Sequence, residues 1–260
     1  MNRILVTILA LVFSAQLVAQ RTDSTRRELL FPFSAAYQIP IGNLANQYGN
    51  FLDGNVGISY KTTQRITIGV SFDYLFEAPL NNASQFEGLA NEYNHFIGTD
   101  GTPAGPKVKG RGFKIEVKLG KIIPINPMNK NAGIWVQGGI GYLQHKVHIG
   151  GDIANFPMFQ DPYVKGYDRL AGGLNYSAFI GYLYLPPLIQ KNISDIPTYS
   201  NIYGLYAGIE FNTAYTYSLR SYQYDLQQAL ITPTLNQLIG FKIGWIFTIN
   251  NEKKSGDHYY

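Results

Sequence analysis

The sequence contains no cysteine. It can therefore form neither a disulfide framework nor the lipid-modified N-terminal cysteine of a lipoprotein. Charged residues are sparse, at 15% of the chain, and 21 basic side chains nearly balance 17 acidic ones. This balance argues against a nucleic-acid partner, because phosphate backbones are bound by a concentrated positive field. No motif indicates a cofactor or a metal ion, and we expect neither.

Long hydrophobic runs are also lacking. The apolar run from Ile4 to Phe13 is about half of the roughly 20 residues that a membrane-spanning helix needs. Asn2 and Arg3 precede it, and a segment of small residues ending at Ala19 follows it. This order predicts a secretory signal peptide over residues 1–19 and export of the remainder as one domain.

The chain is rich in tyrosine (20 residues), phenylalanine (15) and glycine (27), a composition that favours strands and tight turns. Between Arg65 and Phe76, apolar side chains occupy every second position from Ile66 onward. A period of two over this length indicates a long amphipathic strand. The period recurs along the chain, and the predicted strands cover residues 31–39, 56–60, 65–76, 113–119, 134–142, 178–184, 203–212 and 239–249.

Eight strands of about ten residues predict an all-β fold, namely a transmembrane antiparallel up-and-down β-barrel with long external loops. Alternation alone would also fit a secreted ligand-binding barrel, whose apolar face points inward. The connection lengths favour the membrane barrel, because short periplasmic turns alternate there with long external loops. The connections after odd-numbered strands (41–53, 77–107, 150–171 and 216–234) are mostly longer than those after even-numbered strands (61–64, 120–131 and 186–201).

The membrane barrel is predicted to span residues 30–250, between periplasmic segments 20–29 and 251–260. Aromatic residues then fall at both membrane boundaries, as expected of a lipid-facing surface. The boundary near the termini receives Phe31, Phe33, Tyr60, Tyr182, Tyr184, Tyr203, Trp245 and Phe247, and the other boundary receives Phe72, Tyr74 and Phe76.

The polar face of the strands carries three acidic and three basic side chains, namely Asp73, Glu116, Glu210, Lys114, Lys118 and Lys242. The interior of an eight-stranded barrel is barely wide enough for side chains, so we expect these charges to pair within a plugged lumen. The alternative is an ion pathway.

His145 and His148 near the end of the fifth strand could suggest a metal site or acid–base chemistry. Residues three apart on a strand point to opposite faces, so the two imidazoles converge only if the strand has already ended. We therefore expect both histidines to lie at the surface without a shared metal ion. A membrane-embedded hydrolase or acyltransferase would combine a histidine with a serine or an acid, and the candidates are His145 with Ser177 or Asp168. Nothing in their spacing demands a triad.

The third external connection is a candidate surface for a protein partner. Its possible contacts are Tyr163, Lys165, Tyr167, Asp168 and Arg169, since tyrosine and arginine often anchor interfaces. The alternative is a structured loop in which its own Asp and Arg pair with each other. The second connection is long enough to fold back over the barrel mouth with Phe86, Tyr93, His95 and Phe96.

The segment Tyr37-Gln-Ile-Pro-Ile-Gly-Asn-Leu-Ala45 precedes Gly54-Asn-Val-Gly-Ile-Ser-Tyr60. This pair resembles the first hairpin of small outer-membrane β-barrel proteins of the Bacteroidota, with barrels of the OmpA, OmpX and OmpW type. A Pro-x-Gly-Asp-Leu segment is usual in them, and Asn43 replaces that Asp here. Residues 120–124, 141–146, 165–170 and 244–246 resemble a narrower subgroup. The likeness covers nearly the whole mature chain and implies a barrel in the outer membrane rather than an activity.

Lys242, Gly244, Phe247 and Ile249 resemble the signal that the barrel-assembly machinery reads in a last strand, which implies that this machinery is a partner during insertion. In the tail beyond the signal, Tyr259 and Tyr260 are candidate contacts for a periplasmic partner. Family members of this size include accessory subunits of secretion and barrel-assembly machines. The resemblance therefore predicts a non-enzymatic scaffold subunit in contact with outer-membrane lipid and protein partners. The alternatives are a lipid-modifying enzyme and a narrow conduit for small apolar compounds.

Overall fold

The computed structural model describes residues 25, 27–89, 91–93, 95–104, 107–151, 153–186 and 202–250. In these residues eight antiparallel strands close into a barrel, each strand pairing with its neighbours in the sequence and the last pairing with the first. The predicted all-β, up-and-down barrel is confirmed. Its strands are β1 (Glu28–Gly42), β2 (Phe51–Lys61), β3 (Ile66–Ala78), β4 (Lys107–Pro124), β5 (Gly133–Gly150), β6 (Ala171–Tyr184), β7 (Ile202–Ser218) and β8 (Thr234–Asn250).

All eight predicted strands are present, and most are longer than the alternation indicated. β4 and β5 each contain 18 residues and extend well beyond the predicted 113–119 and 134–142. β2 begins at Phe51, so the first external connection is shorter than the predicted 41–53. The alternation misses these ends because glycines and paired polar residues interrupt it there.

The outward-facing side chains of the strands are mainly apolar, and the predicted aromatic residues lie on this face. Near the termini, the ring centroid of Phe247 lies 5.5 Å from that of Phe33 and 5.1 Å from that of Tyr203. At the other boundary, Phe72 stacks on Phe113 with centroids 6.2 Å apart. Two aromatic belts therefore flank an apolar band.

A water-soluble barrel has a polar outside, whereas a membrane barrel has an apolar outside and a polar interior. Closure of the sheet pairs the backbone groups of every strand, which is the condition for β-structure to exist in lipid. The chain is therefore a membrane-spanning β-barrel of the outer-membrane type.

The inward-facing side chains form three layers along the barrel axis. At the end that carries the termini lies an apolar lower core of Leu30, Ile122, Trp135, Phe179, Leu183, Leu185, Tyr206 and Ile246. The middle is a charge layer of Asp53, Asp73, Glu116, Glu210, Lys114, Lys118 and Lys242. The third layer is a cap over the external mouth, and its buried side chains include Leu44, Tyr48, Phe51, Leu75, Phe86, Phe96, Leu143, Val147, Phe156 and Phe159.

The external connections supply much of the cap through short elements. These are helix α1 (Asn43–Gln47), single 3₁₀ turns at Ser84–Phe86, Pro157–Phe159 and Tyr163–Gly166, and a small hairpin that pairs Phe96–Ile97 with Pro103–Ala104. No helix in the described parts of the chain is long and apolar enough to cross a membrane.

Candidate functional site

The charge layer is centred on Lys114, an inward-facing residue of β4 whose neighbours in the strand face lipid. Its side chain is fully buried, and its Nζ lies 3.0 Å from Glu210 Oε2, 3.6 Å from Asp73 Oδ1 and 3.8 Å from Asp53 Oδ2. An unpaired ammonium would be costly in such an interior, so the three carboxylates are a condition for burying it.

Glu210 of β7 joins two further lysines to the layer. Its Oε1 lies 2.9 Å from Lys118 Nζ and 3.0 Å from Lys242 Nζ. Lys242 also lies 3.1 Å from Asp73 Oδ1, and Lys118 lies 3.2 Å from Glu116 Oε2. The six charges read from the sequence therefore meet in one ion-pair network inside the barrel.

Sequence reasoning missed Asp53, because it assigned residues 41–53 to a loop. β2 begins at Phe51, and alternation from that residue turns Asp53 into the lumen. Its Oδ2 accepts a hydrogen bond from Gln38 Nε2 at 2.8 Å, whereas its Oδ1 has no hydrogen-bond partner among the described residues. With Asp53, the layer contains four carboxylates and three ammonium groups.

Asp53, Asp73 and Glu210 bring carboxylate oxygens within 4.8 Å of one another, a spacing that could hold a metal ion. Lys114 contacts all three carboxylates, so its ammonium occupies the position that a cation would take. These residues fit an internal ion-pair network better than a site for a hard metal ion, which would need the oxygens for itself.

The lumen is closed below the charge layer by aromatic packing. The Trp135 ring lies 5.4 Å from Tyr206 and 5.8 Å from Phe179 between centroids, and both pairs are T-shaped. Trp135 Nε1 also donates a hydrogen bond to Thr67 Oγ1 at 3.1 Å. A cavity of about 20 Å³ remains between this packing and the charge layer, which is room for about one water molecule.

The external mouth is closed by aromatic side chains of the second and third connections. Phe96 and Phe86 lie 5.9 Å apart between ring centroids, and Phe159 lies 5.0 Å from Phe96 and 5.8 Å from Phe86. Tyr167 stacks on Phe86 at 6.3 Å. Phe86 and Phe96 of the second connection therefore lie over the barrel mouth as expected, whereas Tyr93 and His95 are exposed.

The expectation of two surface histidines is wrong for His145, which is buried in the barrel. β5 continues to Gly150, so alternation turns the His145 side chain inward. Its Nδ1 lies 3.4 Å from Tyr48 Oη, and its Nε2 lies 3.1 Å from Asn236 Nδ2. Burial in the cap raises the pKa of the Tyr48 phenol, so the phenol stays protonated as a hydrogen-bonding group.

The structure does not bring His145, Ser177 and Asp168 together. His145 pairs across the sheet with Ala171, and Ser177 lies six residues further along β6, where it pairs with Gly139. Six residues of strand correspond to about 20 Å. Asp168 accepts a hydrogen bond from Arg220 Nε at 3.0 Å.

Two ion pairs join the third external connection to the fourth, and we call them the loop clamp. Asp168 pairs with Arg220, and Arg169 pairs with Asp225. The alternative in which an Asp and an Arg of the third connection pair with each other is therefore wrong. Asp168 and Arg169 both pair with residues of the fourth connection. The hydrogen bond from Asp168 raises the pKa of Arg220, so the guanidinium remains a charged partner.

The loop clamp divides the candidate partner contacts into two groups. Asp168 and Arg169 belong to the clamp itself. Tyr167 packs beside it on Tyr224, with ring centroids 5.2 Å apart. Tyr163 and Lys165 are exposed. Exposed tyrosines also come from the fourth connection, which sequence reasoning missed, and the exposed set is Tyr163, Tyr222 and Tyr224. Tyr259 and Tyr260 lie outside the described residues.

No protein-family model matches the sequence, and no curated protein matches it. Among solved structures, the chain is similar to Neisserial surface protein A (TM-score 0.44, 9% identity, 84% of this chain and 96% of that one). It is also similar to Ail, the attachment invasion locus protein of Yersinia pestis (0.43, 9%, 86% and 99%). A third similar structure is the outer membrane protein OprG of Pseudomonas aeruginosa (0.34, 7%, 90% and 100%). The fold assignment rests on the strand register and burial of this chain.

The residues that resemble an assembly signal divide between the two faces of β8. Lys242 and Gly244 face the lumen, whereas Phe247 and Ile249 face outward. Gly244 leaves space for the Tyr206 ring, since a Cβ at this position would lie 2.7 Å from Tyr206 Cε1. The glycine of the resembling motif is therefore also needed for packing of the lower core.

Proposed function

We propose that the protein is a non-enzymatic accessory or scaffold subunit of an outer-membrane protein complex, of the secretion or barrel-assembly type. The observation that carries the proposal is the ordered external surface that the loop clamp creates above a filled barrel. The resemblance to Bacteroidota barrels points in the same direction.

The clamp favours a binding surface because it fixes aromatic side chains at the exposed end of the molecule. Tyr163, Tyr222 and Tyr224 are 55%, 45% and 41% exposed. Tyrosine offers a large contact area with few rotatable bonds, and pre-ordered loops lose less entropy on binding. We therefore place the main partner contact on the third and fourth connections, with Lys165 beside it.

Two alternatives find less support in the same residues. A conduit for small apolar compounds would have to cross the cap, the charge layer and the lower core, all of which are packed. A lipid-modifying enzyme built on His145 would have to move Ser177 by about the length of six strand residues, and Asp168, the other candidate partner, is paired with Arg220. The assembly machinery stays a proposed partner during insertion, through Lys242, Gly244, Phe247 and Ile249.

Purification from membranes in mild detergent tests the proposal. We expect a partner in stoichiometric amount, and we expect Tyr163→Ala combined with Tyr222→Ala to reduce its recovery at least about tenfold, as for interface anchors. Tyr93→Ala is the matched control, because Tyr93 is 73% exposed on a different connection. A barrel that always migrates alone, or an equal loss with the control, would contradict the proposal.

A further inference from the structure

Five basic side chains occupy the outward face of β4 and β5 at their external ends, and we call this set the basic ladder: Lys107, Lys109, Arg111, Lys146 and His148. In the register of the two strands, Arg111 lies opposite Lys146 and Lys109 lies opposite His148. Arg111 and Lys146 are like charges directly across a strand pair, an arrangement that is destabilising unless a counter-charge is present.

The basic ladder begins where the lipid-facing surface ends. The outward side chains of β4 from Ile123 to Phe113 are apolar apart from Lys121, and they match the 9–11 residues that a tilted membrane strand requires. Phe113 belongs to the outer aromatic belt, with its ring 6.3 Å from Tyr142. Arg111 is the next outward residue, about 7 Å further along the strand. The ladder therefore lies at the level of the lipid headgroups.

Among the residues that the structure describes, little of this charge is neutralised. Glu77 pairs with Arg111 at 2.8 Å, whereas Lys107, Lys109 and Lys146 form no ion pair with the described residues. The other external cations differ in this respect, since Arg169, Arg220 and Lys165 all have carboxylate partners. Excess positive charge is thus concentrated on two of the eight strands.

We propose that the basic ladder binds the phosphate-bearing headgroup of a lipid in the outer leaflet of the membrane. Charge complementarity and height above the aromatic belt both favour this occupant. The ladder faces sideways, continuous with the apolar band, so a lipid can place its chains on the band and its phosphate on the ladder. Arg111 can donate two parallel hydrogen bonds to phosphate, and the lysines add point charges.

Titration of the full-length barrel in neutral detergent, followed by native mass spectrometry, tests the proposal. The probes are diphosphorylated lipid A, the same glycolipid without phosphate, and inorganic phosphate as a competitor. We expect binding of the diphosphorylated form to weaken roughly tenfold or more in Lys109→Gln combined with Lys146→Gln, because each cation near a membrane surface contributes to anionic lipid binding. Added salt should weaken it as well.

The matched control is Lys121→Gln combined with Lys130→Gln, which removes two exposed lysines outside the ladder. It should change the affinity by less than about twofold. Heat-dependent gel migration verifies that each variant is folded. Equal affinity for the dephosphorylated glycolipid, displacement by inorganic phosphate at similar concentration, or equal losses in both double variants would overturn the proposal. The proposal would also be overturned if the Lys109→Gln and Lys146→Gln double variant lost a protein partner while its lipid affinity stayed unchanged.

Discussion

Lys114 shows at the residue scale why the lumen holds charges at all. A lysine whose strand neighbours face lipid has to point inward, and three carboxylates from β2, β3 and β7 surround it there. Removal of one member of a buried ion-pair network leaves the others without compensation. The layer therefore ties strands on different sides of the barrel to one another.

We expect Lys114→Met to lower the free energy of unfolding by about 3–5 kcal/mol, since it leaves buried carboxylates unpaired. Urea titration of the barrel in lipid vesicles measures this change. Lys121→Met is the control, because Lys121 is an exposed lysine of the same strand. Addition of Asp53→Asn to Lys114→Met should restore part of the loss, since the layer already has one carboxylate in excess. Equal stability of Lys114→Met and the control would show that the network contributes nothing.

The loop clamp shows at the scale of elements how loops of this barrel become ordered. Asp168 follows a 3₁₀ turn in the third connection and is 5% exposed, and Arg220 follows the end of β7. Gly166 lies against the Tyr224 ring. Because glycine has no side chain, the third and fourth connections can approach each other closely at this point. The third connection leads into β6 and the fourth leaves β7, and because these two strands are adjacent, the residues of both ion pairs are brought together.

We expect Arg220→Met to open the third and fourth connections, because it leaves the buried Asp168 carboxylate without its main cation, at a local cost of about 1–3 kcal/mol. Limited proteolysis of the folded barrel should then cut these connections roughly tenfold faster. The control is Lys165→Met, since Lys165 and Asp161 form an exposed pair of the kind that contributes little. Unchanged cleavage in Arg220→Met would mean that the clamp does not order the loops.

At the scale of the whole molecule, the barrel is a closed cylinder filled in three layers. Apolar packing at both ends shields the charges in the middle from water, which strengthens their attraction. In the part of the chain that the structure describes, the surfaces left for contact are the lipid-facing band, the external surface and the periplasmic end. Function is therefore expected at these surfaces rather than through the lumen.

We expect no stepwise ion conductance from the protein in planar bilayers, because side chains fill the interior of an eight-stranded barrel. A large porin measured in the same membranes provides the positive control. Reproducible open-channel steps that disappear when the protein is omitted would contradict the filled lumen and would favour the conduit.

The sequence by itself determined the barrel, because a period of two divides the side chains of each strand between two faces, and the connection lengths and aromatic belts indicate which face meets lipid. It therefore predicted all eight strands, both aromatic belts and the inward position of Lys114 and Glu210. Strand ends escaped it, and Asp53 and His145 were assigned to a loop and to the surface because the alternation weakens near them. Only the hydrogen-bond register of the strands showed that Asp53 and His145 lie within strands and face the lumen.

Only the tertiary structure decided which residues meet across the chain. Alternation assigns a face to a residue but no partner, so it could not pair Asp168 with Arg220 or surround Lys114 with carboxylates from three other strands. Barrel closure brings such distant residues together, and the folding of loops over the mouth depends on packing that has no sequence period. The sequence thus set the surface that meets the membrane, and the closed fold set the contacts within it.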